Sequence, residues 1–350
     1  DEFAILQHVS DNAIKEANRL AKRIIRALST PFTWSTHTFS ISCSIGITTA
    51  PYQGNNTSTL MINADLAMYA SKHHGRGCFH FFEDGMVMKQ SHSLFINQEI
   101  IDGIDNKEFE LHYQPIINLE DESVYGYESL IRWNHPTKGL IYPDYFINIA
   151  ENSGLIVRLG EWIIRQSCEA AAKWPERIRV AVNISAYQLH SPGLVDVIKD
   201  ALRISQLSAE RLEIEITESE KLDKSIALPV LQEIRSLGIE IAMDDLGTGY
   251  AALDYLLIYP FTRIKIARTL VDKLQQDNAS QYLIVMLIQF AHKYNMSVTA
   301  EGVETAQQRD ILRDIECQNV QGYFFSYPLR EREVLSAFAA EAIEEGLCNV

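Results

Sequence analysis

The sequence contains few cysteines and no hydrophobic run long enough to cross a membrane. The five cysteines are Cys43, Cys78, Cys168, Cys317 and Cys348. Their number is odd and no two are spaced as CxxC, which favours scattered core thiols in a reducing compartment. The longest apolar run, residues 282–291, is about half as long as a transmembrane helix. We therefore expect a cytoplasmic protein with scattered reduced thiols. The parent protein could still be attached to a membrane by an anchor outside these residues.

Positive charge is also scarce. Lysine and arginine total 31 against 46 acidic residues, and the formal net charge is -15 at pH 7. A strongly acidic chain binds nucleic acid and anionic membranes poorly, so we expect neither as a direct partner. An acidic protein that handles a phosphate ester must reverse its local charge, and bound divalent cations are the usual means. The hydrophobic content of 47% provides ample material for a globular core.

The first 83 residues have the pattern of part of an α/β domain. Hydrophobic periodicity and turn residues predict strands at 2–7, 38–48 and 78–82 and helices at 11–28 and 57–73. These elements are too few to close a sheet alone, which is typical of the later half of such a domain. Residues 84–106 follow as a helical connector, and a different rhythm begins at residue 107.

From residue 107 to residue 345 the sequence predicts a barrel. Strand-like runs occur at 111–118, 124–132, 178–184, 212–217, 239–244, 263–267, 297–301 and 319–325. After residue 132 they alternate with helical segments at 160–174, 193–204, 226–237 and 280–294, which implies parallel strands with crossover helices. Eight such strands indicate an α/β fold of the (β/α)8 or TIM-like type. The first two are joined by a short polar loop, so we expect the first strand to be antiparallel.

Polar side chains cluster where the predicted strands end. They are Glu128, Asn183, Glu215, Glu218, Asp244, Asp245, Lys265, Glu301 and Gln321. Each alone has a structural explanation, such as capping the next helix, but the C-terminal rim is where such barrels carry their active sites. Carboxylate and amide oxygens suit hard cations such as Mg²⁺ or Mn²⁺. Adjacent acids such as Asp244 and Asp245 could serve two cations, which together clamp a phosphodiester during its displacement.

The same residues fall within longer motifs. These are Tyr-Gln-Pro-Ile (113–116), Glu-Ser-Leu-Ile-Arg-Trp-Asn-His-Pro (128–136), Val-Asn-Ile-Ser (182–185), Glu-Ile-Thr-Glu-Ser (215–219), Asp-Asp-Leu-Gly-Thr-Gly-Tyr (244–250), Ile-Lys-Ile (264–266), Ala-Glu-Gly-Val-Glu-Thr (300–305) and Gln-Gly-Tyr (321–323). From Phe109 to about Leu335 their order and spacing resemble the EAL-domain family. Members of that family are bacterial phosphodiesterases that open cyclic di-GMP to linear pGpG. The resemblance implies a metal-dependent hydrolase of bacterial signalling.

The first segment carries matches to a second family. The matching runs are Asp1-Glu2-Phe3, Ser44-Ile-Gly-Ile and Ala64-Asp-Leu-Ala-Met-Tyr-Ala-Ser-Lys. They resemble the C-terminal half of a GGDEF domain, the diguanylate cyclase module. The signature glycines and the metal-binding front half of that module are not in this sequence. We therefore expect a partial GGDEF-like segment at residues 1–83 without cyclase activity.

The resemblance to the EAL family assigns a role to each rim residue. The metal shell would consist of Glu128, Asn183, Glu215, Asp244, Asp245 and Glu301. Substrate contacts would come from Gln114, Leu130, Arg132, Asn183, Asp245 and Gln321. Either Lys265 or Glu301 is a candidate general base, and the lysine could act as one only if cations depress its pKa. Glu218 would hold the loop that follows Asp244 and Asp245. The family's partners would be two Mg²⁺ or Mn²⁺ ions, cyclic di-GMP, and a second copy of the barrel.

Several positions depart from the EAL pattern. Ser129, Leu246, Ala251 and Ala252 stand where the family usually has alanine, phenylalanine and two serines. Ala267 replaces an aspartate of the metal neighbourhood, and its loss should weaken the second metal or the water network. An active phosphodiesterase is the first hypothesis, and a cyclic di-GMP receptor with a weakened site is the second. Retention of Glu128 favours catalysis, and the cost of burying so many acids disfavours a third possibility, a purely structural barrel.

Overall fold

The computed structural model describes residues 3–9, 12–34, 37–39, 41–73, 77–217, 222–247, 252–274 and 278–344. The chain divides into two units, residues 1–99 and 100–350. That division falls inside the predicted connector, while the predicted domain limits of 1–83, 84–106 and 107–345 stay predictions. Within the described residues, no helix is both long and apolar enough to cross a membrane, and the cysteines are free thiols.

The first unit contains helix α1 (Ala13–Ser29), strands β1 (Phe32–Trp34), β2 (His37–Phe39) and β3 (Ile45–Ile47), helix α2 (Thr57–His73) and strand β4 (Phe79–Phe81). Strand β1 pairs with β2 in antiparallel fashion, and β3 pairs with β4 in parallel. Helix α2 packs on β3 and β4, and its Leu66 and Ala67 are buried together with Phe82. The predicted helices and the last predicted strand of this segment are confirmed.

Two strands predicted in this unit are wrong. The described part of the predicted strand 2–7 forms no helix or strand, and the side chains of Phe3 and Leu6 are exposed. The predicted strand 38–48 is two strands, β2 and β3, with irregular backbone at residues 41–44 between them. An alternating apolar pattern shows which residues can extend, whereas a strand forms only where a neighbour supplies hydrogen-bond partners.

A ring of strands forms the centre of the second unit. In chain order the strands are β5 (Phe109–Asn118), β6 (Val124–His135), β7 (Gly139–Ile141), β8 (Arg179–Asn183), β9 (Leu212–Thr217), β10 (Glu240–Leu246), β11 (Arg263–Ile266), β12 (Ser297–Ala300), β13 (Asn319–Val320) and β14 (Leu329–Arg330). The ring runs β5–β6–β8–β9–β10–β11–β12–β13 and returns to β5, while β7 and β14 pair with β6 and β5. Strand β5 is antiparallel to both ring neighbours, and the other ring pairs are parallel. The predicted barrel with an antiparallel first strand is confirmed.

Helices connect the strands, as the alternating pattern predicts. They are α3 (Gly85–Asp105), which precedes β5, then α4 (Ile147–Ser153), α5 (Leu155–Ala171), α6 (Ala186–Leu189), α7 (Leu194–Ser205), α8 (Lys224–Ser236), α9 (Ala252–Ile258), α10 (Arg268–Val271), α11 (Asn278–Lys293), α12 (Ala306–Asp314) and α13 (Glu331–Glu344). Helix α12 shows why such segments start where they do. It begins at a capping box in which the side chains of Thr305 and Gln308 accept hydrogen bonds from each other's backbone N–H groups.

Alternation along each strand decides which side chains enter the barrel. The apolar residues Ile214, Ile264 and Val298 are completely buried. Their sequence neighbours Glu215 and Lys265 must point to the opposite face of the strands, and they meet inside the ring with 2.9 Å between Nζ and Oε2. Polar residues placed between buried apolar ones therefore mark the interior of the barrel.

The last ring strand is shorter than predicted. Of the predicted run 319–325, only Asn319–Val320 pairs with neighbouring strands. The chain then turns at Gly322, where a Cβ atom would lie 2.1 Å from the carbonyl oxygen of Val303. The strand pairing ends before this close backbone approach, and Gln321 lies one residue beyond β13.

Candidate active site

Lys265 of β11 lies inside the barrel with four carboxylates around its ammonium group. Its Nζ atom is 2.6 Å from Oε1 of Glu301, 2.9 Å from Oε2 of Glu215, 3.3 Å from Oδ1 of Asp244 and 3.4 Å from Oε2 of Glu128. These residues come from β6, β9, β10, β11 and the end of β12, so closure of the barrel brings them together. We call Lys265 and its four carboxylates the acid cluster. The structure thus assembles five of the predicted site residues in one place.

Side-chain amides hold the carboxylate of Glu128. Nδ2 of Asn183 donates to its Oε1 at 2.7 Å, and Nε2 of Gln321 donates to its Oε2 at 2.7 Å. The same nitrogen of Gln321 also donates to Oε1 of Gln114 at 3.1 Å, and Gln114 lies directly across from Glu128 on β5. These amides fix the orientation of Glu128, as the surroundings of a metal-binding carboxylate usually do.

A group of acids at the end of β10 is suited to a cation. Asp244, Asp245 and Glu301 each offer a carboxylate oxygen, and these oxygens lie within 4.8 Å of one another. Asp245 has a left-handed backbone with φ of 56°, and its N–H donates to Oδ1 of Asp244 at 2.9 Å. Nearby, Glu215 has a buried Oε1 atom without a hydrogen-bond partner among the described residues. Converging carboxylate oxygens and a buried unpaired oxygen fit hard divalent cations.

Burial and crowded charge shift the pKa values in the acid cluster. Burial raises the pKa of Glu215 well above its usual value, the neighbouring carboxylates add to the effect, and Lys265 opposes it. Burial and the charge of Asp244 raise the pKa of Glu301 to about 8. Burial alone would lower the pKa of Lys265, but the four carboxylates outweigh it and raise that pKa well above its usual value. Lys265 is therefore an ammonium ion here, and Glu301 is able to carry a proton near neutral pH.

Two predicted substrate residues lie farther along β6. Leu130 and Arg132 are two and four residues past Glu128, on the part of β6 that extends beyond its pairing with β8. Alternation puts them on the same face of the strand as Glu128. The guanidinium carbon of Arg132 lies 5.0 Å from the centre of the Tyr142 ring, a contact that no sequence pattern indicates because it depends on the turn from β6 into β7. The predicted residue Glu218 lies outside the described residues.

Comparison with known families agrees with this geometry. The family model described as EAL domain matches residues 97–328, which is more than half of the chain. The chain belongs to the EAL-domain family. A second model, described as Diguanylate cyclase, GGDEF domain, matches residues 1–78, so a partial GGDEF segment precedes the EAL domain.

Several curated relatives of this EAL protein have names from cyclic di-GMP signalling. The bifunctional diguanylate cyclase/cyclic di-GMP phosphodiesterase MucR of Pseudomonas aeruginosa is 34% identical over 344 residues, covering 97% of this chain and 50% of MucR. The cyclic di-GMP phosphodiesterase PdeR of Escherichia coli is 35% identical over 333 residues, covering 94% of this chain and 50% of PdeR. The chain spans half or less of the length of the curated relatives that it matches first.

Solved EAL structures share the barrel. A structure described as the MucR phosphodiesterase in complex with c-di-GMP has a TM-score of 0.65 and 32% identity, covering 68% of this chain and 99% of that one. The EAL enzyme Bd1971, in a form bound to cAMP and cyclic-di-GMP, has a TM-score of 0.68 and 32% identity, covering 71% of this chain and 69% of that one. Both agree with the ring of strands described above.

One departure from the EAL pattern lies at the edge of the acid cluster. Ala267 is buried, and its N–H donates to the carbonyl of Leu246 at 3.1 Å. The residue before it, Ile266, accepts a hydrogen bond from the N–H of Glu301 at 3.0 Å. Position 267 therefore lies between the strand ends that carry Asp245 and Glu301.

Gly322→Ala is expected to destabilise the EAL barrel. The added Cβ would lie 2.1 Å from the carbonyl oxygen and 2.3 Å from the amide nitrogen of Val303. Backbone atoms cannot move aside as a side-chain tip does, so this overpacking should cost about 1–3 kcal/mol of unfolding free energy. Urea denaturation measures the loss. Gly85→Ala is the control because its Cβ would meet nothing within 4 Å, and equal stability of the two variants would contradict the prediction.

Proposed function

We propose that the barrel hydrolyses cyclic di-GMP to linear pGpG in bacterial second-messenger signalling. The observation that carries this proposal is the buried acid cluster, in which four carboxylates from different strands surround Lys265. So many acids are costly to bury, and strongly perturbed groups concentrate at functional sites. The names of MucR and PdeR, both of which include cyclic di-GMP phosphodiesterase, support the choice of substrate.

The proposed cofactor is a pair of divalent cations, Mg²⁺ or Mn²⁺. The residues that would hold them are Glu128, Asn183, Glu215, Asp244, Asp245 and Glu301. When bound, such cations supply Lewis-acid charge that stabilises the attacking and leaving oxygens of a phosphodiester. The net charge of -15 means that the protein alone attracts phosphate poorly, so the site depends on that added charge.

Two charged groups of the cluster have separate proposed roles. Glu301, the most exposed of the four carboxylates, is the proposed acceptor of the proton of the attacking water. Lys265 stays protonated in this arrangement, so its role is to balance the carboxylates and to place positive charge beside the reacting phosphate. The role of Glu218, holding the loop after β10, is proposed from the family motif alone.

Substrate contacts are proposed for residues around the mouth of the barrel. They are Gln114, Leu130, Arg132, Asn183, Asp245 and Gln321. Among them Arg132 has the chemistry for a phosphate, because its planar guanidinium can donate two parallel hydrogen bonds to phosphate oxygens. Its position on the same face of β6 as Glu128 supports this role.

Hydrolysis assays on the purified chain test the proposed function. We expect pGpG to accumulate with Mg²⁺ or Mn²⁺ and the reaction to stop when EDTA is added. If cyclic di-GMP binds in calorimetry without any turnover at high enzyme and cation concentrations, the chain is a receptor instead. That second candidate function is favoured by Ala267, which lies where the family has an acid. Absence of binding would reject both functions.

Ala267→Asp is expected to raise the rate of hydrolysis about tenfold. The new carboxylate would lie between the strand ends that carry Asp245 and Glu301, and at the N-cap of α10, which has no side-chain hydrogen bond. Chromatographic assays at several Mn²⁺ concentrations measure the gain. Ala306→Asp, at an exposed first-turn position of α12, is the control with the same change in charge. Equal rates in all three proteins would show that the missing acid is dispensable.

We also propose that two copies of the barrel associate. Helix α9 follows the acid-bearing end of β10, and its Leu257 and Ile258 are 57% and 37% exposed. Neighbouring exposed apolar side chains suit a contact between copies. Sedimentation velocity over a range of concentrations tests this proposal, and a monomer throughout the range would refute it.

A further inference from the structure

A second set of buried charges lies deeper in the barrel than the acid cluster. Nε of Arg263 in β11 is 2.8 Å from Oε2 of Glu213 in β9, and both side chains are 2% exposed. Neither residue is among those proposed to hold cations or substrate. A buried ion pair of this kind seldom adds stability over an apolar pair of the same size. A gain in stability therefore does not explain why the pair is there.

Arg263 also contacts three further strands. Nη1 donates to Oγ1 of Thr299 in β12 at 3.1 Å, and Nη2 is 3.8 Å from Oε2 of Glu240 in β10. The guanidinium carbon lies 4.5 Å from the centre of the Tyr125 ring, which belongs to β6. One guanidinium thus joins β6, β9, β10 and β12 to its own strand.

Every strand that Arg263 joins carries a member of the acid cluster a few residues further on. In each pair below, the first residue belongs to the Arg263 contacts and the second to the acid cluster. The pairs are Arg263 and Lys265 in β11, Glu213 and Glu215 in β9, Thr299 and Glu301 at β12, Glu240 and Asp244 in β10, and Tyr125 and Glu128 in β6. In β9, β10, β11 and β12 the spacing is two or four residues, which keeps both members on the same face of the strand. In β6 the spacing is three residues, and the pairing of β6 with β5 shifts register between Val124 and Gly126, next to Tyr125. Arg263 therefore lies below the cluster and touches all the strands that supply it.

We propose that Arg263 is a positioning residue that aligns these five strands and so sets the geometry in which the acid cluster binds divalent cations. The planar guanidinium of arginine has five N–H donors in fixed directions, so it can hold several partners in one arrangement. The ammonium group of lysine is a point charge and does not fix its partners in this way. A cation site tolerates errors of only about 0.5 Å in ligand position. This inference rests on the proposed function, because it takes the acid cluster to be a cation site.

Calorimetric titration with Mn²⁺ in the absence of nucleotide tests the role of Arg263. Arg263→Lys keeps the charge and loses the fork. The double variant Arg263→Met with Glu213→Leu replaces the ion pair by apolar side chains of similar size. Arg211→Met is the matched control. Arg211 lies just before β9, and its guanidinium donates to the backbone carbonyls of Ile178 and Ala171. Thermal unfolding of each protein is recorded beside the titration.

We expect Arg263→Lys and the double variant to bind Mn²⁺ at least about tenfold more weakly than the parent. The double variant should unfold within about 5 °C of the parent, because an apolar pair can replace a buried ion pair. Arg211→Met should unfold at a lower temperature and keep the parent's Mn²⁺ affinity. If the double variant is folded and binds Mn²⁺ as the parent does, the proposal is overturned. If it does not fold, Arg263→Lys alone decides the matter in the same way.

Hydrolysis of cyclic di-GMP is measured separately, so that the two proposals can fail independently. Where turnover is seen, loss of alignment should lower kcat and leave KM little changed. A parent that binds Mn²⁺ and cleaves nothing would refute the proposed function alone. A parent that cleaves, with variants that keep its Mn²⁺ affinity, would refute the role of Arg263 alone. A parent without Mn²⁺ binding would refute this inference together with the proposed cofactor.

Discussion

Glu215→Gln is expected to lower the kcat of cyclic di-GMP hydrolysis by about 10²–10³-fold without unfolding the barrel. Glu215 is completely buried, its Oε2 is 2.9 Å from Nζ of Lys265, and its Oε1 has no hydrogen-bond partner in the described part of the chain. Glutamine keeps the size of the side chain and removes the charge that a cation would meet. The fold should tolerate the change because glutamine resembles the neutral form of Glu215 that burial favours in the cation-free protein.

Product analysis at saturating Mn²⁺ and thermal unfolding with and without Mn²⁺ check the Glu215→Gln prediction. The cation-free variant should melt at or above the temperature of the parent, while the rise in melting temperature caused by Mn²⁺ should shrink. Glu108→Gln is the control, because Glu108 accepts a hydrogen bond from Nε1 of Trp133 at 3.0 Å and glutamine can accept it too. A Glu215→Gln variant with most of the parent's kcat would remove this carboxylate from the proposed shell.

Lys265→Met is expected to destabilise the cation-free barrel by about 3–5 kcal/mol. The ammonium group lies within 3.4 Å of four carboxylates, and methionine would leave the ionised ones without a compensating charge. Divalent cations that bind the same carboxylates should restore part of the loss, because a ligand that binds only the folded state stabilises it. The stability of this variant should therefore depend on Mn²⁺ far more steeply than that of the parent.

Urea denaturation in EDTA and at several Mn²⁺ concentrations measures both parts of the Lys265→Met prediction. Lys199→Met is the control, since Lys199 forms an exposed pair with Glu233 at 2.7 Å and its removal should change the unfolding midpoint little. An unchanged midpoint in EDTA for Lys265→Met would mean that the carboxylates carry protons rather than charge in the cation-free protein.

The barrel and its rim could be predicted because their pattern is local. The predicted strand 212–217 coincides with β9, in which Ile214 and Ile216 are buried and Glu215 interrupts the apolar run. The residues at which parallel strands end in the sequence lie at one rim of the barrel. The acids at these positions could therefore be predicted to lie together before any distance was known. The same reasoning fails at residues 3–7, the described part of the predicted strand 2–7, which form no strand.

The contacts of Lys265 and Arg263 depend on the order of strands in the ring, which no local pattern contains. A lysine within a strand is equally consistent with an exposed outer position, and only ring closure shows that four acids surround it. Arg263 and Glu213 are 50 residues apart in sequence, so their pairing was not predicted. The available signal was the repeated two-residue spacing of charged residues in β9 and β11, which indicates a second polar layer.

The direction of β5 decides at which end the chain enters the barrel. If the first strand ran parallel to the others, it would begin at the end opposite the acids. Strand β5 instead begins beside the C-terminal half of β6, with Phe109 paired to Trp133, and α3 ends only four residues earlier at Asp105. The C-terminal end of α3 therefore lies at the end of the barrel that carries the acid cluster. From there β5 reaches Gln114 in five residues, and Gln114 lies directly across from Glu128, so the first strand of the barrel joins α3 to the wall of the acid cluster.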